Sequence, residues 1–397
     1  MSHSVVIEAL RTPRGAAKET GALHSVTPME LLAGVLRDLA QRTGVDTNEV
    51  ADGVFGCVTQ TGEQGGNIGK SACLLADWSP HLSAVTINRY CASGLSAVNW
   101  AAQQAHDANG LAVAGGVEMM SRVPMFGDKV PYYSDRALGG RIGYVPPPWS
   151  SDLVATRHGF SREDCDGYAA LSQARALAAR NRAVARSMVP VLDTQGQVLL
   201  DQDENIRAAN TLEKLATLRP VYELGANGLD DWGLAREPEL GQIQHVHTAG
   251  NAPCMADGAA AVLVGTAEAA TRLGLPVRAR ILAHADACVP LTQTGAVDAT
   301  HKALAKAGLS VADIDLWEVR DSFAAITLHY IRILGIPLEK FNVNGSSIAL
   351  GHPMGATGAM LVSCLLDEME ARDLRYGVAA LPGAFGVATA TVFERLR

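Results

Sequence analysis

The chain has 397 residues, too many for one small domain and enough for two or three, and its 48% hydrophobic content supports a sizeable core rather than a disordered chain. A net charge of −8 lacks the basic face a general nucleic-acid binder needs, so no nucleic-acid partner is expected, although local basic spots remain open. Seven scattered cysteines, with no CxxC and no Cys/His cluster at zinc spacing, exclude a disulfide framework and give no metal site.

The first residues run almost directly into a β-branched strand pattern at 5–8, without the basic and apolar segments of a signal peptide. No apolar run reaches bilayer length, so a cytoplasmic chain with no membrane contact is expected. Thr27-Pro28 caps a helical pattern over 29–43. Strands are expected at 54–58, 84–87 and 111–114, with a helix over 93–106 between the last two. This alternation argues for an α/β fold with a mostly parallel sheet. Residues 119–151 read as loop, broken by Pro124, Pro131 and Pro146-Pro-Pro. Ser161 and Asp164 form a capping-box pattern ahead of a long helix to about 187, and 225–241 is irregular and polar. Beyond 259 the alternation resumes, with strands at 260–264, 279–282, 314–319, 378–381 and 388–393. Helices are expected at 295–307, 323–334 and 355–370. Cys91-Ala-Ser-Gly-Leu-Ser-Ala-Val and Gly355-Ala-Thr-Gly-Ala-Met-Leu-Val each open a helix with Ser/Thr-Gly at the third and fourth positions, which hints at duplication.

Four segments carry possible chemistry. Cys91 follows a strand and precedes a helix, where the positive end of the dipole and free N–H groups favour a thiolate and a developing oxyanion. The competing reading is a buried structural thiol. His352 lies in a glycine-flanked loop that can hold an imidazole rigidly in a pocket, or is a surface-loop histidine. Arg320-Asp321 interrupts an apolar strand-to-helix passage, either as a solvent-facing ion pair or with Arg320 turned into the pocket. Leu381-Pro-Gly-Ala-Phe-Gly386 is a turn between two terminal strands.

Taken in order, Asn88-Arg-Tyr-Cys-Ala-Ser-Gly-Leu, Gly115-Gly-Val-Glu-Met-Met-Ser, Thr248-Ala-Gly-Asn-Ala through Asp257-Gly-Ala-Ala, and Gly351-His-Pro-Met-Gly-Ala-Thr-Gly resemble the motifs of the thiolase superfamily. The resemblance implies two duplicated, five-stranded αβαβα halves with an inserted lid. The expected partition is 1–118 plus 249–270, an inserted 119–248, and 271–397. It also implies ping-pong acyl transfer from an acyl-CoA, with coenzyme A as substrate or product, no cofactor, and a homodimer or homotetramer. Cys91 would be the nucleophile, His352 its activator, and Gly386 an oxyanion donor beside the Cys91 N–H. Arg219, Ala252, Pro253, Ser322 and Phe323 would be the substrate contacts.

The sequence also departs from that pattern. No cysteine follows Cys364, so the family's C-terminal acid/base thiol is missing, and its glycine loop is two residues short. Arg320 stands where the family usually has Asn, as a cation able to stabilise an enolate oxygen directly. Pro146-Pro-Pro-Trp-Ser-Ser-Asp152 replaces a stretch that contacts CoA in the family, and Pro253 stands where a small polar residue usually does. Three functions therefore compete: a divergent thiolase, a decarboxylative or otherwise non-Claisen acyltransferase on the same fold, and a non-catalytic acyl-CoA binder.

Overall fold

The computed structural model describes residues 4–180, 182 and 185–396. Nine strands follow in chain order: β1 (Ser4–Arg11), β2 (Val50–Gly56), β3 (Ser83–Ile87), β4 (Leu111–Met119), β5 (Ala256–Thr266), β6 (Ala279–Cys288), β7 (Leu316–Val319), β8 (Tyr376–Pro382) and β9 (Val387–Arg395). With the two-residue strand Gly15–Ala16 on β5, they form a ten-stranded sheet in the order β7-β8-β9-β6-β1-β5-β4-β2-β3. The main helices are α1 (Pro28–Thr43), α2 (Ser93–Asp107), α3 (Pro147–His158), α4 (Arg162–Arg180), α5 (Gly295–Ala307), α6 (Ala324–Leu334) and α7 (Met354–Ala371). None of the described helices is long and apolar enough to cross a membrane.

The duplication is plain in the pairing. In the first half β2 runs parallel to β3 and β4, and β4 and β1 run antiparallel to β5. In the second half β7 runs parallel to β8, and β8 and β6 run antiparallel to β9. The expected fifth strand of the second half is a single parallel bridge, Trp317 with Phe341. Along the sheet, the described residues of the two halves pair at Val5 with Arg280 and Val6 with Ala279.

Burial on both faces explains the apolar composition of the strands. Along β5, Ala259, Ala261 and Leu263 face one core with α1, while Ala260, Val262 and Val264 face another built on α2 and α7. That second core also takes Leu316, Ala379 and Phe393 from the other half, so α2 and α7 are a shared central layer. A third core covers the far face with α5 and α6. The layers are therefore helix, sheet, helix, sheet, helix.

Local signals explain the boundaries of α1. Thr27 and Glu30 make a reciprocal capping box, Pro28 opens the helix, and Gly44 closes it at φ +67°. Two boundaries differ from the sequence reading. The stretch 119–151 is not all loop, because Pro146-Pro-Pro starts α3 rather than breaking it: proline needs no N–H in a first turn. The long helix stops at Arg180, where the Arg182 N–H bonds the Ala179 carbonyl in a tightened last turn. Of the residues it was expected to reach, 181, 183 and 184 lie outside the described ones.

In the central layer α2 and α7 meet backbone to backbone. A Cβ on Gly358 would lie 1.9 Å from the Leu95 nitrogen, and one on Gly94 would lie 2.6 Å from the Gly355 carbonyl oxygen. Gly358→Ala is expected to cost ~3 kcal/mol, because backbone on backbone has no side chain to give way. Gly34 on α1 has nothing within 4 Å of its Cβ position, so Gly34→Ala should stabilise by up to about 1 kcal/mol. Chemical denaturation of the two variants checks both signs.

Candidate active site

The glycine contact brings two loops together, because Cys91 and His352 each stand three residues before a glycine of that contact. The residue before Cys91, Tyr90, has φ +49°, a left-handed conformation uncommon outside glycine. It is held there by Ser93, whose Oγ donates to the Tyr90 carbonyl at 2.5 Å and accepts the Arg89 N–H at 2.8 Å. Tyr90 also packs on Met354, two residues beyond His352. Cys91 is half-buried at the mouth of α2.

His352 is buried and fixed from behind. Its N–H bonds the Cys254 carbonyl at 2.8 Å. Thr357 Oγ1 donates to the Pro353 carbonyl at 3.1 Å, so the 2.7 Å contact between Thr357 Oγ1 and His352 Nδ1 has the ring as donor. That places the proton on Nδ1 and leaves a lone pair on Nε2, which has no partner among the described residues. Burial, then the positive charges of Arg320 and Arg14, hold the imidazole well below its usual pKa. The ring is thus a neutral base.

Arg320 is not the solvent-facing partner of Asp321. It is 3% exposed, with Nη1 donating to the Pro382 carbonyl at 2.6 Å, Nη2 to Ser322 Oγ at 3.0 Å, and Nε unpartnered among the described residues. Asp321 accepts instead from the Ile348 N–H and Ser172 Oγ, and burial pushes its pKa up to about 7. Both residues lie just past the end of β7, where the Arg320 N–H still bonds the Ala380 carbonyl and the two side chains take separate partners. Burial disfavours the Arg320 charge, while Cys91 and Asp321 favour it, so the guanidinium lies within electrostatic reach of both Cys91 and His352.

Gly386 is buried at φ +77° in the β8–β9 hairpin, after Phe385 at φ +57°, and a Cβ there would strike the Val289 carbonyl oxygen at 1.7 Å. The hairpin loop, where the family's second thiol is missing, gives its Pro382 carbonyl to Arg320. Ser322 is fully buried and donates to Gln293 Oε1 at 2.5 Å. Phe323 meets the His247 ring edge-on at 5.5 Å, and Ala252 packs beside it. Pro253 is half-buried, and Arg219 is exposed on the outer surface with its neighbour Pro220 bridged to Thr248.

Three features were not read from the sequence. Glu118 is fully buried and accepts from the Val58, Thr59 and Gly355 N–H groups and from Gln64 Nε2, tying the loop after β2 to the start of α7. Its Gly-Gly-Val-Glu context was the available signal. Asp152 on α3 accepts from His247, the backbone of 246 and 247, and His245, pinning the altered lid stretch to the segment before Asn251. Trp149 on the same helix is buried, with Nε1 donating to Asp230 at 2.8 Å, so this stretch is core and not an altered surface loop. Next to Cys91 in the chain, Tyr90 packs on Phe385 at 5.4 Å, Tyr132 and Tyr144 also pack on Phe385, and the Tyr90 and Tyr132 hydroxyls bond at 3.0 Å.

Family models for the thiolase N-terminal domain and the thiolase C-terminal domain match residues 4–228 and 275–395. A protein named 3-ketoacyl-CoA thiolase in Pectobacterium carotovorum is 38% identical over 410 residues, covering 100% of both chains. Proteins of the same name in Vibrio vulnificus and Aeromonas hydrophila are 37% and 38% identical, also over 100% of both chains.

Thr357→Val removes the acceptor that fixes the His352 tautomer. Acylation of Cys91 should slow about tenfold, on the order of 1.4 kcal/mol, with little loss of folding. The neutral His352 also has a pH signature. Its folded pKa lies below the unfolded value of about 6.5, so its contribution to stability is complete above that pH and is lost as pH falls below it. Urea midpoints measured from pH 8 to pH 5 should fall less steeply in His352→Gln than in the native chain.

Proposed function

Because the chain belongs to the thiolase family and is a thiolase-type acyltransferase, we propose that Cys91 takes an acyl group from a 3-oxoacyl-CoA or related acyl-CoA, with His352 as its base and Arg320 as the cation facing developing negative charge. The observation that carries this reading is the buried His352 Nε2, unpartnered among the described residues and sharing the field of an Arg320 guanidinium that is within electrostatic reach of Cys91.

From a 3-oxoacyl-CoA the Cys91 sulfur attacks the 3-oxo carbonyl as its proton passes to His352 Nε2, and the C2–C3 bond breaks to leave an acetyl-CoA enolate that takes up a proton. From a simple acyl-CoA the same proton transfer accompanies attack of the sulfur on the thioester carbonyl. The Cys91 and Gly386 N–H groups receive the oxyanion. In the simple acyl-CoA the carbon–sulfur bond to CoA then breaks, and the CoA sulfur takes the proton from His352. In the second half-reaction the acyl group passes to a second acceptor. Arg320 offers an enolate oxygen a fixed charge where the family has Asn and a bound water. Substrate contacts are assigned to Arg219, Ala252, Pro253, Ser322 and Phe323. Residues 119–248 act as the lid, an assignment supported by Tyr132 and Tyr144 packing on Phe385 and by the bond of Tyr132 to Tyr90. The chain works as a homodimer or homotetramer in the cytoplasm.

A second reading has its own support. No thiol is present in the β8–β9 hairpin, whose carbonyl engages Arg320 instead. That favours a condensation driven by decarboxylation, or transfer to a different nucleophile, neither of which requires the missing thiol to move an α-proton.

Intact-mass measurement after mixing with a panel of acyl-CoAs should show one acyl adduct, absent in Cys91→Ser. No adduct with any donor, despite measurable acyl-CoA binding, would sink the reading in favour of a non-catalytic binder. Arg320→Met should still form the adduct but lower turnover roughly 100-fold or more. It should keep or gain thermal stability, because a buried cation without a carboxylate partner has been removed. Release of CO₂ during turnover would decide for the second reading.

A further inference from the structure

A cavity of about 100 Å³ lies on the far side of the His352 loop, lined by Arg11, Arg14, Arg180, Asp203, Glu318 and Cys364 among others. None of Cys91, His352, Arg320 or Gly386 lines it. Its charges do not balance. Asp203 accepts from Arg11 Nη1 and Nη2 at 2.9 and 3.0 Å and from the Arg14 N–H at 2.8 Å, so one carboxylate faces two guanidinium groups. Arg14 is fully buried, its Nη1 is 3.9 Å from Asp203 Oδ2, and its Nε and Nη1 have no hydrogen-bond partner among the described residues.

The other acids of the lining do not supply the missing charge. Asp367 is committed to Arg278 at 2.8 Å and to Ser187. Glu318 is 2% exposed with Oε1 unpartnered, and burial, with the nearby Glu368, pushes its pKa up to about 8. The raised pKa weakens it as a counter-ion to Arg14. At the outer side Arg180 is exposed and pairs with a neutral group, Gln202 Oε1, at 2.6 Å.

Water in such a cavity satisfies donors but not charge, and a buried ion without a counter-charge costs several kcal/mol. We propose that the cavity binds a small oxyanion, a carboxylate or inorganic phosphate, which reaches Arg14 and Glu318 past Arg180. The size agrees: an engineered cavity of about 150 Å³ takes benzene, so this one suits acetate or phosphate and excludes coenzyme A. The occupant would sit behind the base, since Leu350 of the His352 loop lines the cavity and Arg14 reaches His352 electrostatically.

The test is the melting temperature of the full chain against rising sodium phosphate or sodium acetate, with sodium chloride at matched ionic strength as reference. A saturable rise with one of the two, beyond that of chloride, is expected. The apparent Kd should weaken about tenfold in Arg180→Ala, and the rise should vanish in Arg14→Met. Glu318→Leu supplies the same readout should Arg14→Met fail to fold. Both salts matching chloride, or a rise unchanged in Arg180→Ala and Glu318→Leu, would overturn the proposal and leave a hydrated cavity. The Cys91 adduct in Arg180→Ala separates this outcome from failure of the acyl-transfer reading.

Discussion

The structure depends on one contact, the approach of α2 to α7 with no side chain between their backbones. A Cβ on Gly56 or Gly116 would lie 2.5 or 2.1 Å from the Gly355 carbonyl oxygen, so strands β2 and β4 close on the same point as the helices. Packing of this kind allows no adjustment by rotamer change. It therefore fixes the two helix starts relative to each other, and with them the loops that carry Cys91 and His352. Glu118 adds the polar half of the same joint. Its carboxylate receives N–H groups from both the loop after β2 and the first turn of α7, although burial raises its pKa. Along the sheet the described residues of the halves share two residue pairs, so the central layer, and not the strand junction, holds them in register.

Near this joint two buried guanidinium groups act on His352. Arg320 and Arg14 are both buried, neither makes a close carboxylate pair, and each lowers the pKa of His352. The consequence for chemistry is specific. An imidazole in a positive field stays neutral and keeps its lone pair, and any anion formed beside it is stabilised. Two neighbouring carboxyls, Glu318 and Asp321, are pushed up by burial to about 8 and about 7, which reduces the negative charge able to cancel that field.

Much of this was legible in the sequence because it rests on local signals. Alternating apolar runs located the strands, and Thr27-Pro28 with Gly44 bounded α1 by capping chemistry alone. The glycine-flanked Cys91 and His352 segments stood out because only glycine tolerates the close approach they require. What was not legible depends on direction and partner. Arg320 and Asp321 are adjacent in sequence, but just past the end of β7 their side chains take different buried partners, which sequence does not encode. Pro146-Pro-Pro read as a break and proved a helix start, since proline is compatible with either and only the buried Trp149 and Asp152 behind it decide. Thr357 was invisible as a functional support because its role depends on a tautomer, and Glu118, despite the signal of its Gly-Gly-Val-Glu setting, has partners far along the chain.

The hairpin without a thiol and the buried Arg320 are in direct contact. The shortened hairpin turns its Pro382 carbonyl toward the space beside β7, and that carbonyl accepts from Nη1 of the arginine. An asparagine has one short amide and relies on water to reach a substrate oxygen. An arginine spans the gap, bonds the hairpin and Ser322, and still keeps Nε unpartnered among the described residues. On the proposed roles, such a site would stabilise an enolate more readily than it makes one, because the hairpin itself supplies no thiol as a second base. Chemistry in which the carbanion arises from a bond other than carbon–hydrogen suits that arrangement, whereas proton abstraction falls to His352 alone.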